Sequence, residues 1–280
     1  MALPYAEVIG DPIAHSKSPL IHGFWLEKLG IEAEYRRTRV TAEELPTYLA
    51  SRRQDPDWRG CNVTMPLKQA VIPLLPALDP AATRIGAVNT IARDGTGFNT
   101  DAAGFLEPLQ PLLAGRHLFR MARILGAGGA ARGVVHALRG AGFALVVAAR
   151  RVEQAEELIH GLDPHFNHAV ALDHFADPTD FAFDDREGIL DLVINTTPLG
   201  MAGKGPLALD FSHVPPGAVI YDIVYDPLET PLLREARYRN HSTIDGLAML
   251  IGQAAHAFHH FFGAAAPREH DPELRELLTR

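Results

Sequence analysis

The sequence predicts an α/β protein of two domains, an N-terminal α/β domain and, in the C-terminal half, a doubly wound parallel sheet. Three observations carry this reading. Short apolar runs alternate with segments of helical periodicity along most of the chain, the pattern of strands covered by crossover helices. The 280 residues suit two domains of roughly 150 residues each. Gly126-Ala127-Gly128-Gly129 stands between an apolar run and a helical one, where a tight turn leaves backbone N–H groups free for an anion.

Each element follows from its local pattern. Tyr5–Gly10 reads as a strand. Pro19–Leu29 reads as a helix, with Leu20, Phe24 and the Leu26/Leu29 pair at helical spacing. Glu34–Val40 reads as a strand and Ala42–Ser51 as a helix. Gly60–Thr64 is a short strand stopped at Pro66, which suits the first turn of a helix running through Leu75. Ala87–Arg93 and Thr96–Asn99 are strands around the turn Asp94-Gly95. A helix from Asp101 to Leu113 breaks at Gly115.

The second half is more regular. It offers a strand at Arg123–Leu125, a helix at Gly128–Gly140, a strand at Ala144–Ala149 and a helix at Val152–Gly161. Leu190–Asn195 and Ala218–Asp222 are further strands. Residues 163–188 are acidic and aromatic without clear period and receive no assignment. Helices at Gly246–Phe262 and Pro272–Leu278 match neither half and are read as folding back onto the first domain.

The glycine turn belongs to a Rossmann-type domain. Gly126 permits the tight turn, Gly128 lets backbone approach a pyrophosphate, and Ala131 is small enough for close helix–strand packing. The plainer alternative is a glycine turn that binds nothing. The strand after the helix, Ala144–Ala149, ends in Arg150-Arg151, where an NAD site places an acid for the ribose hydroxyls. A guanidinium there can hold a 2′-phosphate through paired charge-assisted hydrogen bonds. The cofactor is therefore read as NADP, against the alternative of two ordinary surface arginines.

Composition limits the other classes. Hydrophobic residues make up 47%, charged residues 21%, and the net charge is −8. An acidic body attracts neither nucleic acid nor an anionic membrane. The one cysteine, Cys61, allows no intrachain disulfide and no thiolate cluster, which fits a reducing cytoplasm. Met1–Gly10 shows no basic start before an apolar run, so no secretory leader is expected. No stretch of 18 apolar residues suggests a membrane-spanning helix.

Polar residues gather at loops and strand ends of the first hundred residues. His15-Ser16-Lys17-Ser18-Pro19 offers two hydroxyls before a helix, suited to a carboxylate. Ser18 is expected also to cap that helix, with Pro19 at its first position. Asn62-Val63-Thr64-Met65-Pro66-Leu67-Lys68 puts a lysine in the first turn of a helix, against the helix dipole, a local conflict of the kind functional sites show. Asn89, Asn99 and Asp101 add two amides and a carboxylate, though Asp101 can be read as an N-cap alone. Together these are donors and acceptors for a polyol acid.

In order along the chain, these motifs resemble the shikimate dehydrogenase family. His-Ser-Lys-Ser-Pro at 15–19, Asn-Val-Thr-x-Pro-x-Lys at 62–68, Gly-Ala-Val-Asn-Thr at 86–90 and Asn-Thr-Asp at 99–101 carry the resemblance. So do the Gly126 turn, Asn-Thr-Thr-Pro-Leu-Gly-Met at 195–201, Tyr-Asp-Ile-Val-Tyr at 221–225 and Asp-Gly-Leu-Ala-Met-Leu-Ile-Gly-Gln at 245–253. The resemblance implies NADP-dependent reduction of 3-dehydroshikimate to shikimate in aromatic amino acid biosynthesis. It assigns the substrate carboxylate to Ser16 and Ser18 with Tyr225 nearby, and the ring hydroxyls to Thr64, Lys68, Asn89, Asp101 and Gln253. Lys68 and Asp101 match the catalytic pair, Lys68 as proton donor and Asp101 as its orienting acceptor. Gly126, Ala127, Gly128, Gly129 and Ala130, with Ala149, Arg150 and Arg151, match the cofactor contacts, and Ile223 and Gly246 lie near the nicotinamide end.

The resemblance further implies a discontinuous substrate domain, 1–103 with 241–280, and an NADP domain, 104–240, in a monomer or homodimer whose partner is a small molecule. Two positions depart from the pattern. Ala149-Arg150-Arg151 stands for Asn-Arg-Thr, and Gln154 stands where an arginine is common. Two rival readings are an NAD-linked quinate/shikimate dehydrogenase and a non-catalytic NADP-binding regulator; Arg150 and Arg151 oppose the first, and the retained Lys68 and Asp101 the second. A metal site at His256, His259 and His260 is not expected, because no glutamate or third ligand accompanies the i, i+4 pair.

Overall fold

The computed structural model describes residues 2–183 and 186–280. They form two compact units, Met1–Gly104 with Ile251–Arg280, and Phe105–Leu250. No helix among them is long and apolar enough to cross a membrane.

In the first unit the chain runs β1 (Tyr5–Gly10), α1 (Ser18–Leu29), β2 (Glu34–Arg39), α2 (Leu45–Gln54), β3 (Trp58–Val63), α3 (Leu67–Ala70), β4 (Ala77–Leu78), α4 (Pro80–Ile85), β5 (Thr90–Ala92) and β6 (Thr96–Phe98). The sheet order is β2-β1-β3-β5-β6-β4. β1 pairs in parallel with β2 and β3, while β5 is antiparallel to β3 and β6, so this sheet is mixed rather than all parallel. β5 and β6 form the hairpin around Asp94-Gly95. β1 is buried along its whole length, and its alternation divides two cores. Tyr5 and Ile9 join Leu45, Tyr48, Trp58 and Leu67 on one face. Ala6 and Val8 join Tyr35, Ala257 and Phe261 on the other.

Prolines shorten two of the helices read from the sequence. The one starting at Pro66 is a single turn, α3, followed by a 3-10 turn at Ile72–Leu74, because Pro73 supplies no N–H and crowds the preceding turn. The helix read as Asp101–Leu113 breaks into α5 (Asp101–Leu106), a 3-10 turn (Glu107–Leu109) and α6 (Gln110–Leu113), with Pro108 and Pro111 at the joints.

The second unit continues with β7 (Phe119–Leu125), α7 (Gly129–Gly140), β8 (Ala144–Ala149), α8 (Val152–Ile159), β9 (His168–Ala171), β10 (Ile189–Asn195), β11 (Val219–Asp222), α9 (Pro231–Tyr238) and β12 (Ser242–Ile244). Every pair is parallel, in the order β12-β11-β10-β7-β8-β9. The order reverses between β7 and β10, and ligands of such sheets bind beyond the carboxyl ends of the strands at that switch. Its core packs Leu125, Ala148, Val193 and Ile220 against Phe175, Leu232 and Leu233. The unassigned stretch 163–188 holds β9 and a 3-10 turn at Leu172–Phe175; Asp184 and Asp185 lie outside the described residues.

The last helices are α10 (Gly246–Phe262) and α11 (Asp271–Thr279). The return to the first unit comes later than 241. Ser242, Thr243 and Ile244 pair with Val219, Ile220 and Tyr221, so this segment is the edge of the second sheet, and the first unit resumes at Ile251. Three residues are too few for a strand to be seen by periodicity. The first crossing falls after Gly104, since Phe105 stacks on Tyr221 at 4.8 Å within the second unit.

Candidate active site

The centre of the first unit's polar cluster is an ion pair. Lys68 Nζ donates to Asp101 Oδ2 at 2.5 Å, and the two side chains are 17% and 5% exposed. Lys68 sits in α3 directly after β3, and Asp101 heads α5 directly after β6, so the sheet brings together residues 33 apart. The dipole argument for Lys68 loses its weight in a helix of one turn. What marks the residue is an ammonium taken largely out of water, which requires a charged partner. Asp101 does not use its carboxylate as a cap: Oδ1 accepts from Asn89 Nδ2 at 2.9 Å and Oδ2 takes the lysine.

Asn89 is the hub of this cluster. Its amide nitrogen also meets Thr100 Oγ1 at 2.9 Å and Gln253 Oε1 at 3.3 Å, and its oxygen accepts from Thr100 N at 2.8 Å and Thr90 Oγ1 at 3.1 Å. With both ends engaged, it orients Asp101. Gln253 reaches the hub because α10 packs tightly on α5; a Cβ at Gly104 would lie 2.3 Å from the Gln253 backbone nitrogen. Asn62, Tyr35 and Thr100 were not singled out from sequence. Asn62 Nδ2 donates to Asn89 O at 3.1 Å and Thr90 Oγ1 at 3.0 Å, and its Oδ1 accepts from Tyr35 at 2.5 Å. Asn62 stood visibly in the lysine motif; Tyr35 gave no local signal, since its role depends on packing.

The serine loop lies in the same unit. Ser16 Oγ donates to Ser18 Oγ at 3.2 Å and accepts from Ser18 N at 3.3 Å. Lys17, not Ser18, is the N-cap of α1, and its side chain makes no capping hydrogen bond. The Ser18 hydroxyl is thus not held by its own helix end. Thr64 is partly exposed, and among the described residues its hydroxyl makes no hydrogen bond; Gly10 makes room for its methyl, which a Cβ there would meet at 2.5 Å.

In the second unit the glycine turn leaves backbone open to an anion. Gly126 has φ +115, and a Cβ there would lie 2.5 Å from Thr196 Oγ1, so backbone conformation and space both demand glycine. A Cβ on Gly128 would meet nothing within 4 Å, leaving an open approach. α7 begins at Gly129 without a side-chain cap, so its first N–H groups remain for an anion; Ala127 and Ala130 flank them without bulk, and Ala131 is fully buried behind. β8 ends at Ala149. Arg150 and Arg151 are exposed and make no ion pair among the described residues, and Arg150 lines a cavity of about 340 Å³ with Ala171, Leu172, Asp173, Leu199 and Leu207. Open backbone, free helix end and unpaired guanidinium groups fit a dinucleotide phosphate.

Gly246 and Ile223 meet at the far end of this sheet, where a Cβ on Gly246 would lie 2.4 Å from Ile223 O. Ile223 N donates to Asn195 O at 3.1 Å. Beneath them Asp222, fully buried, accepts from Asn195 Nδ2 at 2.9 Å, Val224 N at 3.0 Å and Thr230 Oγ1 at 2.6 Å. Burial pushes its carboxyl upward, opposed by those three donors. Sequence reading passed over this network, although an acid closing an apolar strand was a visible sign. Tyr225 stands on the loop after β11 in the second unit, whereas the serines with which the resemblance groups it belong to the first. Among the described residues no three of His, Cys, Asp and Glu are placed to hold a metal; His260 stacks on Phe98 at 4.0 Å, and burial, then His259, lower its basicity.

The comparisons with known proteins agree along the whole chain. A family model for the shikimate dehydrogenase substrate binding domain matches residues 8–91. Shikimate dehydrogenase (NADP(+)) of Sphingopyxis alaskensis is 50% identical over 285 residues, covering 99% of this chain and 98% of that protein. The protein of the same name from Methylobacterium radiotolerans is 43% identical, covering 100% and 98%. The crystal structure of shikimate 5-dehydrogenase from Thermus thermophilus in complex with NADP(H) and shikimate matches with a TM-score of 0.83 at 36% identity, covering 99% of this chain and 100% of that one. The chain belongs to the shikimate dehydrogenase family.

Proposed function

We propose that this chain catalyses the reversible NADP-dependent reduction of 3-dehydroshikimate to shikimate in aromatic amino acid biosynthesis. The observation that carries the reading is the Lys68–Asp101 pair, largely out of water and ringed by amides and hydroxyls. Reducing a ring ketone needs a hydride at carbon and a proton at oxygen. The hydride comes from the reduced nicotinamide when NADPH is bound. Lys68 donates the proton to the ketone oxygen and takes it back from the hydroxyl in the reverse direction. Asp101 holds the ammonium in place and accepts from a ring hydroxyl, while Asn89 holds Asp101. Ser16 and Ser18 would bind the substrate carboxylate, and Thr64, Asn89 and Gln253 the remaining hydroxyls.

The residues that would hold NADP are the backbone of Gly126, Ala127, Gly128, Gly129 and Ala130 at the pyrophosphate, Ala149, Arg150 and Arg151 at the 2′-phosphate, and Ile223 and Gly246 at the nicotinamide end. Buried Cys61, the sole cysteine, suits a reducing cytoplasm. Steady-state kinetics with NADP and NAD, each against shikimate and quinate, test the reading. NADP with shikimate should have the highest kcat/KM; a preference for NAD or for quinate would replace it with the broader dehydrogenase, and absence of turnover with all four pairs would reject it. Lys68→Ala should lower kcat by about 10² to 10⁴, with KM for shikimate little changed, the usual range for losing a general acid. A kcat within a few-fold of wild type would remove Lys68 from that role.

A further inference from the structure

We propose that the C-terminal helix α11 sets the carboxylate-binding loop through Lys17, a positioning residue that acts on Ser16 and Ser18 rather than on substrate. The proposal rests on the reading of those two serines as the carboxylate site. Lys17 stands between them and is the N-cap of α1, its carbonyl accepting from Leu20 N at 3.0 Å and Ile21 N at 3.2 Å. Its side chain runs elsewhere: Lys17 Nζ donates to the carbonyl oxygen of Leu278, in the last turn of α11. The two residues are 261 apart in sequence.

Three physical features make this contact a fixed point. Carbonyls of a last helical turn lack partners within their helix and carry its negative pole, so an ammonium there is favourable on both counts. The carbonyl belongs to an anchored residue, because Leu274 and Leu278 are 0% and 2% exposed; the chain end is not frayed at that point. α11 is also tied to α1 elsewhere, by Lys28–Glu273 at 2.7 Å and by Phe24 edge-on to His270.

The loop needs such a fixed point. The Lys17 side chain does not cap α1, so the serine loop is braced by its own helix only through the Lys17 carbonyl and the long contact from Ser18 N to Ser16 Oγ at 3.3 Å. From the other side Arg37 Nε donates to Ser16 O at 2.8 Å. The peptide carrying both serine hydroxyls is therefore held between a β2 arginine and the α11 terminus. Their oxygens stand 3.2 Å apart, a spacing that serves one carboxylate only while the loop keeps its shape. A small misplacement of a binding group is enough to lose much of its effect.

Four variants and one activity-independent measurement test this. Lys17→Met should raise KM for shikimate about tenfold while kcat and KM for NADP stay within about twofold. Lys17→Arg, which still donates to the Leu278 carbonyl, should restore most of the affinity. Leu278→Ala, which loosens the same carbonyl from the other end, should raise KM for shikimate in the same direction, and the double variant should be no worse than the worse single. Glu273→Gln, which weakens the other tie between α11 and α1, should leave KM unchanged. Amide hydrogen exchange over residues 13–21 should quicken in Lys17→Met and not in Glu273→Gln.

Unchanged KM and unchanged exchange in Lys17→Met would overturn the proposal. A silent Leu278→Ala, or two single effects that add in the double variant, would overturn it too, placing Lys17 on the substrate directly. A wild-type protein without shikimate turnover would instead overturn the functional reading, and the exchange data would still decide whether α11 holds the loop.

Discussion

His22 predicts an acid limit for the stability of the fold. The residue is in α1, fully buried, and among the described residues neither ring nitrogen has a hydrogen-bond partner. Aromatic rings surround it: Tyr35 stacked at 4.0 Å, with Trp25, Phe258 and Phe261 at 5.6, 5.8 and 5.9 Å. Burial alone lowers its pKa from 6.5 to about 3. Between those values the unfolded chain binds a proton that the folded chain does not. Stability therefore falls as pH falls, by about 1.4 kcal/mol per unit. At pH 5, roughly one and a half units below the unfolded value, His22 alone removes about 2 kcal/mol relative to pH 8, a sizeable share of a typical folding free energy.

His22→Phe keeps the ring stack and abolishes this titration. Urea unfolding of both proteins at about pH 8 and pH 5 isolates the effect, and the stability difference in favour of the variant should grow by about 2 kcal/mol on acidification. Overpacking by the wider ring shifts both ends of the series alike and drops out. A difference that stays the same at the two pH values would refute the reasoning.

Two further outcomes concern the sites themselves. Replacing Arg150 and Arg151 together by serine should raise KM for NADP about 10- to 100-fold, the scale of losing charge-assisted hydrogen bonds to a phosphate, with KM for NAD nearly unchanged. Equal losses for both cofactors would mean that neither arginine reads the 2′-phosphate. Gly104→Ala places a Cβ 2.3 Å from backbone that cannot swing aside, so it should cost about 1–3 kcal/mol of stability and lower kcat by separating Asp101 from Gln253. Wild-type stability and rate in this variant would show that α5 and α10 can part without disturbing the pair.

Much of the fold was legible because several segments carry strong local patterns. Tyr5–Gly10, Ala144–Ala149 and Gly246–Phe262 have the bounds their periodicity indicated, and the Gly126 turn was marked by a backbone requirement that only glycine meets. Segments with little pattern escaped. β4 has two residues and β12 three, too few to display a period. The helices from Pro66 and Asp101 were overextended because apolar spacing persisted across prolines that end the hydrogen-bond ladder.

What the sequence determined by itself was therefore short-range: where the chain turns, which faces are apolar, and which chemical groups are present in which order. Which groups meet was decided only in three dimensions. Lys68 and Asp101 lie 33 residues apart, Asn89 and Gln253 164 apart, and Lys17 and Leu278 261 apart. These pairs exist because sheet order and the returning helices bring strand ends and helix ends together. The same packing strips water from His22 and from the acid–amine pair. Burial is a property of all the neighbours at once, so the sign and strength of an electrostatic contact cannot be read from any one segment.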